Sequence, residues 1–434
     1  MYFIVETQDQ LCQLSPKDNC FIQVIPSSDR YHPRLSRCSL VYYNDGAKGF
    51  IFPVNHSEGF SLEIAQIESF INAHKKVYLL DRKFHSYFLN IANSVDLNFI
   101  RLDQGMDESR LDCDTILHRD FNNKYSTGFI NEIIPITKHY EKCEDLYGIV
   151  ESLFDLEGDY TQLNQSTDAY RWVEEQGIKV DTVKLQQAYK NENIKYGIKD
   201  SIAYSYYNMY NMTGRPTNSF NSINFVAIPK IQEFRDAFIP ENDFMVEFDF
   251  DAYHLRLIAK AVGYEFPNSD ASIHEQLGKL YFEKETLTEE EYTKSKEISF
   301  KQLYGGIEEK YKSIEFFTKL DTFINTIYNT YKKQGSIILP TGKLLRRSED
   351  INKLKLFNYW VQNLETKTNT EKILDLKECI VAKGYKSRLI LITYDAFLFD
   401  YSIEDGQQFL IDVKTIMEKN GFGIKLKRGT SYFL

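Results

Sequence analysis

Between residues 38 and 54 the chain reads CSLVYY, NDGAKG, FIFPV. Two β-prone apolar runs flank turn formers, a pattern that predicts a hairpin. Apolar spacing then predicts a helix over 61–74, a strand over 77–80 and a helix over 84–93, an α/β opening. A polar stretch over 157–166, with Gly158, Asn164 and Gln165, predicts a linker, and the domain boundary is placed there. Residues 183–212 are helix-compatible and dense in tyrosine; aromatics so spaced most often fill a core, base stacking being the rarer use. Met245 to Phe250 reads as a buried strand, followed by a helix over 253–262 that Gly263 ends. Thr288 with Glu291 makes a capping-box pattern before a helix to about Leu303. Strands flank the turn Pro340-Thr341-Gly342-Lys343, and a long helix covers about 350–383. RLILIT at 388–393 and AFLF at 396–399 predict a hairpin with Asp395 at its turn. No internal repeat is visible.

At 434 residues, with 43% hydrophobic and 26% charged positions, the chain has room for two or three folded domains and is not a disordered one. No uncharged apolar run approaches the roughly 18 residues of a membrane span, so no membrane partner is expected. The amino terminus, MYFIVETQDQL, lacks the basic lead of a secretory signal, which points to the cytoplasm. The six cysteines form no CxxC pair, so free buried thiols are expected rather than a zinc site or disulfides. Charge divides unevenly: 15 basic against 24 acidic residues over 1–160, and 37 against 38 over 161–434. The nearly neutral remainder leaves room for a basic groove that meets nucleic acid. Lys425-Leu426-Lys427-Arg428 is a candidate phosphate contact, and a solvated strand edge explains the run equally well.

Asp249 and Asp395 each fall where an apolar strand ends, with Lys296 on a helix between them in sequence. Carboxylates on adjacent strands hold two divalent ions for phosphoryl transfer, and a nearby cation meets the phosphates. Strand-end aspartates are also ordinary turn formers. The surrounding text separates the readings. DFDAYHLR at 249–256 resembles motif A of the family A (Pol I-like) DNA polymerases, usually DYSQIELR. KEISFKQLYG at 296–305 is similar to their motif B, and Tyr394-Asp395-Ala396 stands where motif C reads His-Asp-Glu. Thr213-Gly214-Arg215, with Asn224 and Ile228-Pro229, looks like the TGR segment ahead of motif A; Asn358 and Gln362 fit the Asn-x-x-x-Gln ahead of motif C. VEEQGIKVD at 173–181 resembles the opening of the polymerase half.

The resemblance implies an α+β multidomain chain. A degenerate RNase H-like 3′-5′ exonuclease-type α/β domain spans 1–160, and a right-hand polymerase spans 161–434. Within the latter it implies a reduced thumb (about 183–212), an antiparallel palm (about 213–270 and 338–434) and helical fingers (about 271–337). It implies DNA synthesis from dNTPs on primer-template DNA, with two Mg²⁺ ions, or Mn²⁺, on Asp249, Asp395 and the carbonyl of Phe250. Lys296 would neutralise the triphosphate, Phe300 pack on the nucleotide, and Tyr304 close the insertion site, with Gly305 ending the helix. Arg215, Asn358 and Gln362 would touch the duplex.

Departures are equally specific. His254 replaces the Glu that excludes a 2′-hydroxyl, and Tyr292 replaces an Arg four residues before Lys296, where Lys294 and Arg256 are the nearest substitutes. Tyr394 and Ala396 replace both partners in motif C. In the first domain Val24-Ile25-Pro26 and His85 stand where metal-binding acids are expected, leaving Asp145, and Asp114 to Leu117 lie along the same resemblance. No proofreading is expected. A small thumb implies a processivity or replisome partner, and the compact size hints at a phage. An RNA-synthesising or reverse-transcribing relative, or a non-catalytic nucleic-acid binder, remains open.

Overall fold

The structure, a computed structural model, describes residues 3–105, 130–154, 156, 158–189, 197–218, 223–267, 271–348 and 350–434. The expected motif at Asp114 to Leu117 lies outside them. Two compact units emerge: Met1–Arg171, Lys190–Tyr210 and Asn218–Asn224 in the first, Trp172–Tyr189, Asn211–Thr217 and Phe225–Leu434 in the second. Among the described residues no helix is long and apolar enough to cross a membrane.

The first unit is built on a six-stranded sheet. Its strands are β1 (Phe3–Ile4), β2 (Asn19–Pro26), β3 (Cys38–Asn44), β4 (Gly49–Pro53), β5 (Lys76–Leu79) and β6 (Ser94–Asp96), in the order β1-β4-β3-β2-β5-β6. The predicted hairpin is β3–β4, in register from Leu40↔Pro53 to Asn44↔Gly49. Near-continuous apolar strands mark a sheet covered on both faces: α1 (Ile64–Ile71) is part of one core cluster and α2 (Ile136–Val150) of the other. Where the resemblance expects acids, Val24 donates its backbone N–H to His85 Nε2 at 3.2 Å, both residues being buried. Asp145 is exposed.

Several predicted elements are corrected. The helix expected over 61–74 is shorter because Leu62 N–H is tied to the Pro53 carbonyl at 2.8 Å. The one expected over 84–93 covers only Arg82–His85. There the chain is drawn off by α1: Glu68 Oε1 accepts from Asn90 N–H at 2.6 Å and Asn72 Oδ1 from Ala92 N–H at 2.9 Å. The linker expected over 157–166 is helical from Thr161, where α3 (Thr161–Glu174) starts on the side chain of Asp159. Among the described residues of 183–212 an α-helix covers Thr182–Ala188, and Ile198–Lys199 and Ile202–Ala203 pair as a short antiparallel ladder. Tyr206, Tyr207 and Tyr210 are core residues, the Tyr206 hydroxyl donating to Asp81 and that of Tyr210 to Asp81 and Asp96.

The second unit holds β7 (Phe244–Asp251), the pair β8 (Ser336–Ile338) and β9 (Leu344–Arg346), the hairpin β10 (Arg388–Thr393) and β11 (Ala396–Tyr401), and β12 (Gly423–Gly429). β7, β10, β11 and β12 form an antiparallel sheet in the order β10-β11-β7-β12. Its main helices are α4 (Tyr253–Ala261), α5 (Ile273–Phe282), α6 (Glu289–Gly305), α7 (Glu315–Gln334), α8 (Lys353–Lys383) and α9 (Gly406–Glu418). One core cluster, with Leu255, Leu277, Leu303, Phe317 and Phe357, joins α4 to α8. α6 begins with the predicted capping box on Thr288 and Glu291. It ends at Gly305, as expected, and the chain leaves it through the cap residue Gly306, φ 97°.

Candidate active site

Strand β7 sets Asp249 opposite Ala396 of β11 and Lys425 of β12. Alternation puts Glu247, Asp249 and Asp251 on one face. β12 answers them: Lys427 Nζ stands 2.8 Å from Glu247 and 4.0 Å from Asp249, and Lys425 Nζ 2.5 Å from Asp251. The basic run is therefore an ion-paired ladder beside the acids.

Hairpin β10–β11 turns through Tyr394, φ 61°, a conformation that L side chains seldom adopt. Asn369 Nδ2 holds its carbonyl at 2.9 Å. The next carbonyl, that of Asp395, accepts from Phe250 N–H at 3.1 Å, which brings the two predicted acids together. Burial, then the neighbouring Asp395, then Glu247 push the Asp249 carboxyl up to about 6, against the pull of Lys427 and Lys425. Asp395 is likewise raised, by burial and Glu365, with its own backbone N–H, His254 and Arg215 opposing. Among the described residues no group of three or more His, Cys, Asp or Glu side chains forms a metal cluster by itself.

Ala252, φ 51°, turns the chain from β7 into α4. Tyr253 there stacks on Phe250 with centroids 4.2 Å apart and donates its hydroxyl to Asn369 Oδ1 at 2.7 Å. His254 is hydrogen-bonded through Nδ1 to the Tyr304 hydroxyl and lies 2.6 Å through Nε2 from Glu365 Oε2. Glu365 Oε1 accepts from Arg215 Nε at 3.0 Å, and the Arg215 guanidinium lies 3.6 Å over the Tyr394 ring. Gly214, φ 68°, is required before it: a Cβ would strike the Asn363 amide, and Thr366 Oγ1 holds the Gly214 carbonyl at 3.0 Å. Buried polar residues of α8 thus fix the TGR segment.

On α6, Lys296, Phe300 and Tyr304 follow at four-residue spacing along one face. The Phe300 and Tyr304 rings lie 8° from parallel, and His274 of α5 sits 5.9 Å from Phe300. α5 and α6 approach closely at Gly278, where a Cβ would come within 2.9 Å of that of Ser295.

A cavity of about 470 Å³ opens here. Arg215, His254, Phe300, Tyr304, Asn358, Gln362 and Asp395 all line it. Asp249, Phe250 and Lys296 do not. Phe250 is buried beneath Tyr253, Asp249 joins through Asp395, and Lys296 Nζ rests 4.4 Å over Tyr292. Lys294 is exposed and Arg256 is engaged with the carbonyls of Asp251 and Gly421, and neither lines the cavity. Two buried atoms of the cavity wall, Asn358 Oδ1 and His274 Nδ1, have no hydrogen-bond partner among the described residues. Burial, with smaller contributions from Lys296 and Lys425, lowers His274 to about 4 against the pull of Asp251, so its imidazole is neutral near pH 7.

Sequence reasoning missed His274 and Glu365. The spacing Asn358, Gln362, Glu365, Asn369, a polar stripe of helical period, carried the signal for Glu365. His274 had none.

The fold is that of a DNA polymerase domain. The chain is similar in structure to the polymerase domain of Pol1 from M. smegmatis, solved in complex with DNA primer-template and dNTP. The TM-score is 0.66 at 12% identity, with 97% of this chain and 99% of that one covered. No protein-family model and no curated protein matches the sequence.

Proposed function

We propose that the chain is a template-directed DNA polymerase that joins dNTPs to a primer 3′-hydroxyl, without proofreading. One observation carries the reading: Asp249 and Asp395, distant in sequence, meet through the Phe250–Asp395 backbone bond beside a cavity whose buried Asn358 and His274 atoms have no partner among the described residues. Unpaired buried polar atoms cost about 1–3 kcal/mol each, which a polar ligand relieves. The polymerase-domain fold and the DNA and dNTP bound to its neighbour support the same partners here.

The raised carboxyls of Asp249 and Asp395 fit a divalent cation, whose charge would favour their ionised forms. Asp249, Asp395 and the Phe250 carbonyl would hold Mg²⁺ or Mn²⁺, with substrate phosphates completing the set, since Mg²⁺ commonly takes only one or two carboxylates. When bound, the metal supplies charge neutralisation for the attacking and leaving oxygens. The residues do the rest. Lys296, after leaving the Tyr292 ring, would face the triphosphate and carry a proton toward the departing pyrophosphate. Neutral His274 would offer a hydrogen bond to the same phosphates. Phe300 and Tyr304 would pack on the nucleotide, while Arg215, Asn358 and Gln362 would line the duplex. We assign fingers to the region of α5 to α7 and the palm to the β7–β10–β11–β12 sheet. A small thumb near 183–212 would leave processivity to a partner protein.

The test is extension of a primed DNA template with Mg²⁺, offering dNTPs or rNTPs. Asp249→Ala and Asp395→Ala should each lower addition by at least about a thousandfold. An inactive wild-type chain that still binds duplex would replace this reading by that of a non-catalytic binder. With a competitor trap, products should stay short.

A further inference from the structure

Glu365 is 2% exposed, and a carboxylate so deep is tolerated only when fully paired. Its two oxygens divide the work: Oε1 takes the Arg215 guanidinium and Oε2 takes His254 Nε2. A carboxylate oxygen only accepts, so in the neutral imidazole Nδ1 is left as the acceptor, and the Tyr304 hydroxyl, held protonated by burial and Glu365, donates to it. Nε2 is then the nitrogen that carries hydrogen, and it donates to Glu365.

We propose that Glu365 is a positioning residue for sugar selection, acting through His254: it fixes the imidazole so that Nδ1 is an acceptor already occupied by Tyr304. The inference rests on the polymerase reading above. A 2′-hydroxyl pressed against this pair finds no free hydrogen-bonding nitrogen and loses its water without replacement. An amide at 365 reverses the logic. Arg215, with only donors, draws the amide oxygen, so the amide NH₂ turns to Nε2. The imidazole proton then moves to Nδ1 and is donated to the Tyr304 oxygen, which frees the Tyr304 hydroxyl hydrogen for a ribose hydroxyl.

Two measurements test this on the full-length chain. The first is ¹⁵N NMR of the histidine side chains, with His254 assigned by its loss in His254→Ala. Wild type should show hydrogen on Nε2, and Glu365→Gln should move it to Nδ1. The second is single-nucleotide addition. Glu365→Gln should lower the dNTP over rNTP ratio of kcat/KM by about tenfold, chiefly through the KM for rNTP, and should cost nothing further in a His254→Ala background. Glu365→Asp, which keeps the carboxylate, should retain most of the selectivity. Hydrogen on Nδ1 in the wild type, an unchanged ratio in Glu365→Gln, or multiplying effects of the two substitutions would each overturn the role of Glu365. If wild type adds no nucleotide, the polymerase reading fails, and the position of the imidazole proton still decides whether Glu365 orients His254.

Discussion

At the scale of single residues, Asp249 gives the sharpest consequence. Its carboxyl stands at about 6 in the folded chain against an ordinary 3.8. A group that binds its proton more tightly when folded contributes stability below about pH 4, loses it as pH rises to about 6, and does not regain it above. Asp249→Asn removes that loss. The side chain is 31% exposed, so solvent screening reduces the gain to about 1 kcal/mol, or about 2–4 °C in Tm at pH 8. Calorimetry at pH 8 and pH 4 should show the variant melting higher at the first and level with wild type at the second; equal Tm values at pH 8 would reject the strained-pair account. The two acids were legible in the sequence through the motifs around them, since a strand-end position alone fits an ordinary turn former equally. The partners that tune them, Lys425 and Lys427 across the sheet, were legible only as a basic run, since cross-strand register is not written in spacing.

At the scale of elements, the β10–β11 hairpin was readable from its alternating apolar runs, whereas the backbone state of its turn was not. Tyrosine is a poor choice for φ 61°, and nothing nearby in sequence announces that Asn369 and Arg215 hold it. Replacing the ring separates backbone from contact. Tyr394→Ala and Tyr394→Gly lose the same Arg215 stacking, but only alanine keeps a Cβ in the left-handed region, so it should be less stable by about 1 kcal/mol in urea unfolding. Alanine equal to or more stable than glycine would mean that the turn relaxes. Helices misjudged in the first unit fail for a related reason: Glu68 and Asn72 capture the backbone of Asn90 and Ala92 from another element, and such long-range bonds override local propensity.

At the scale of the whole chain, the first unit is discontinuous, and this limits how the molecule can be cut. A boundary near residue 160 follows composition, yet residues 197–210 bury Tyr206 and Tyr210 against Asp81, Asp96 and Phe99 of the first unit. Asp96, itself raised to about 6 by burial and Asp81, accepts from the Tyr210 hydroxyl as well as from the backbone N–H groups of Asp81, Arg82 and Asn98. A fragment starting at residue 161 keeps the tyrosines, and Tyr170 beside Tyr207, but loses Asp81, Asp96 and Phe99 from Tyr206 and Tyr210. Exposing large aromatic rings costs about 1.5–3 kcal/mol each and leaves an adhesive apolar patch. The fragment should therefore aggregate on expression, whereas the full chain stays dispersed under the same conditions. Replacing Tyr206 and Tyr210 by serine in the fragment should recover part of its solubility, because the defect lies in those uncovered rings. A dispersed, cooperatively melting fragment without such changes would show that the segment repacks within the second unit, and that composition located the boundary better than the contacts do.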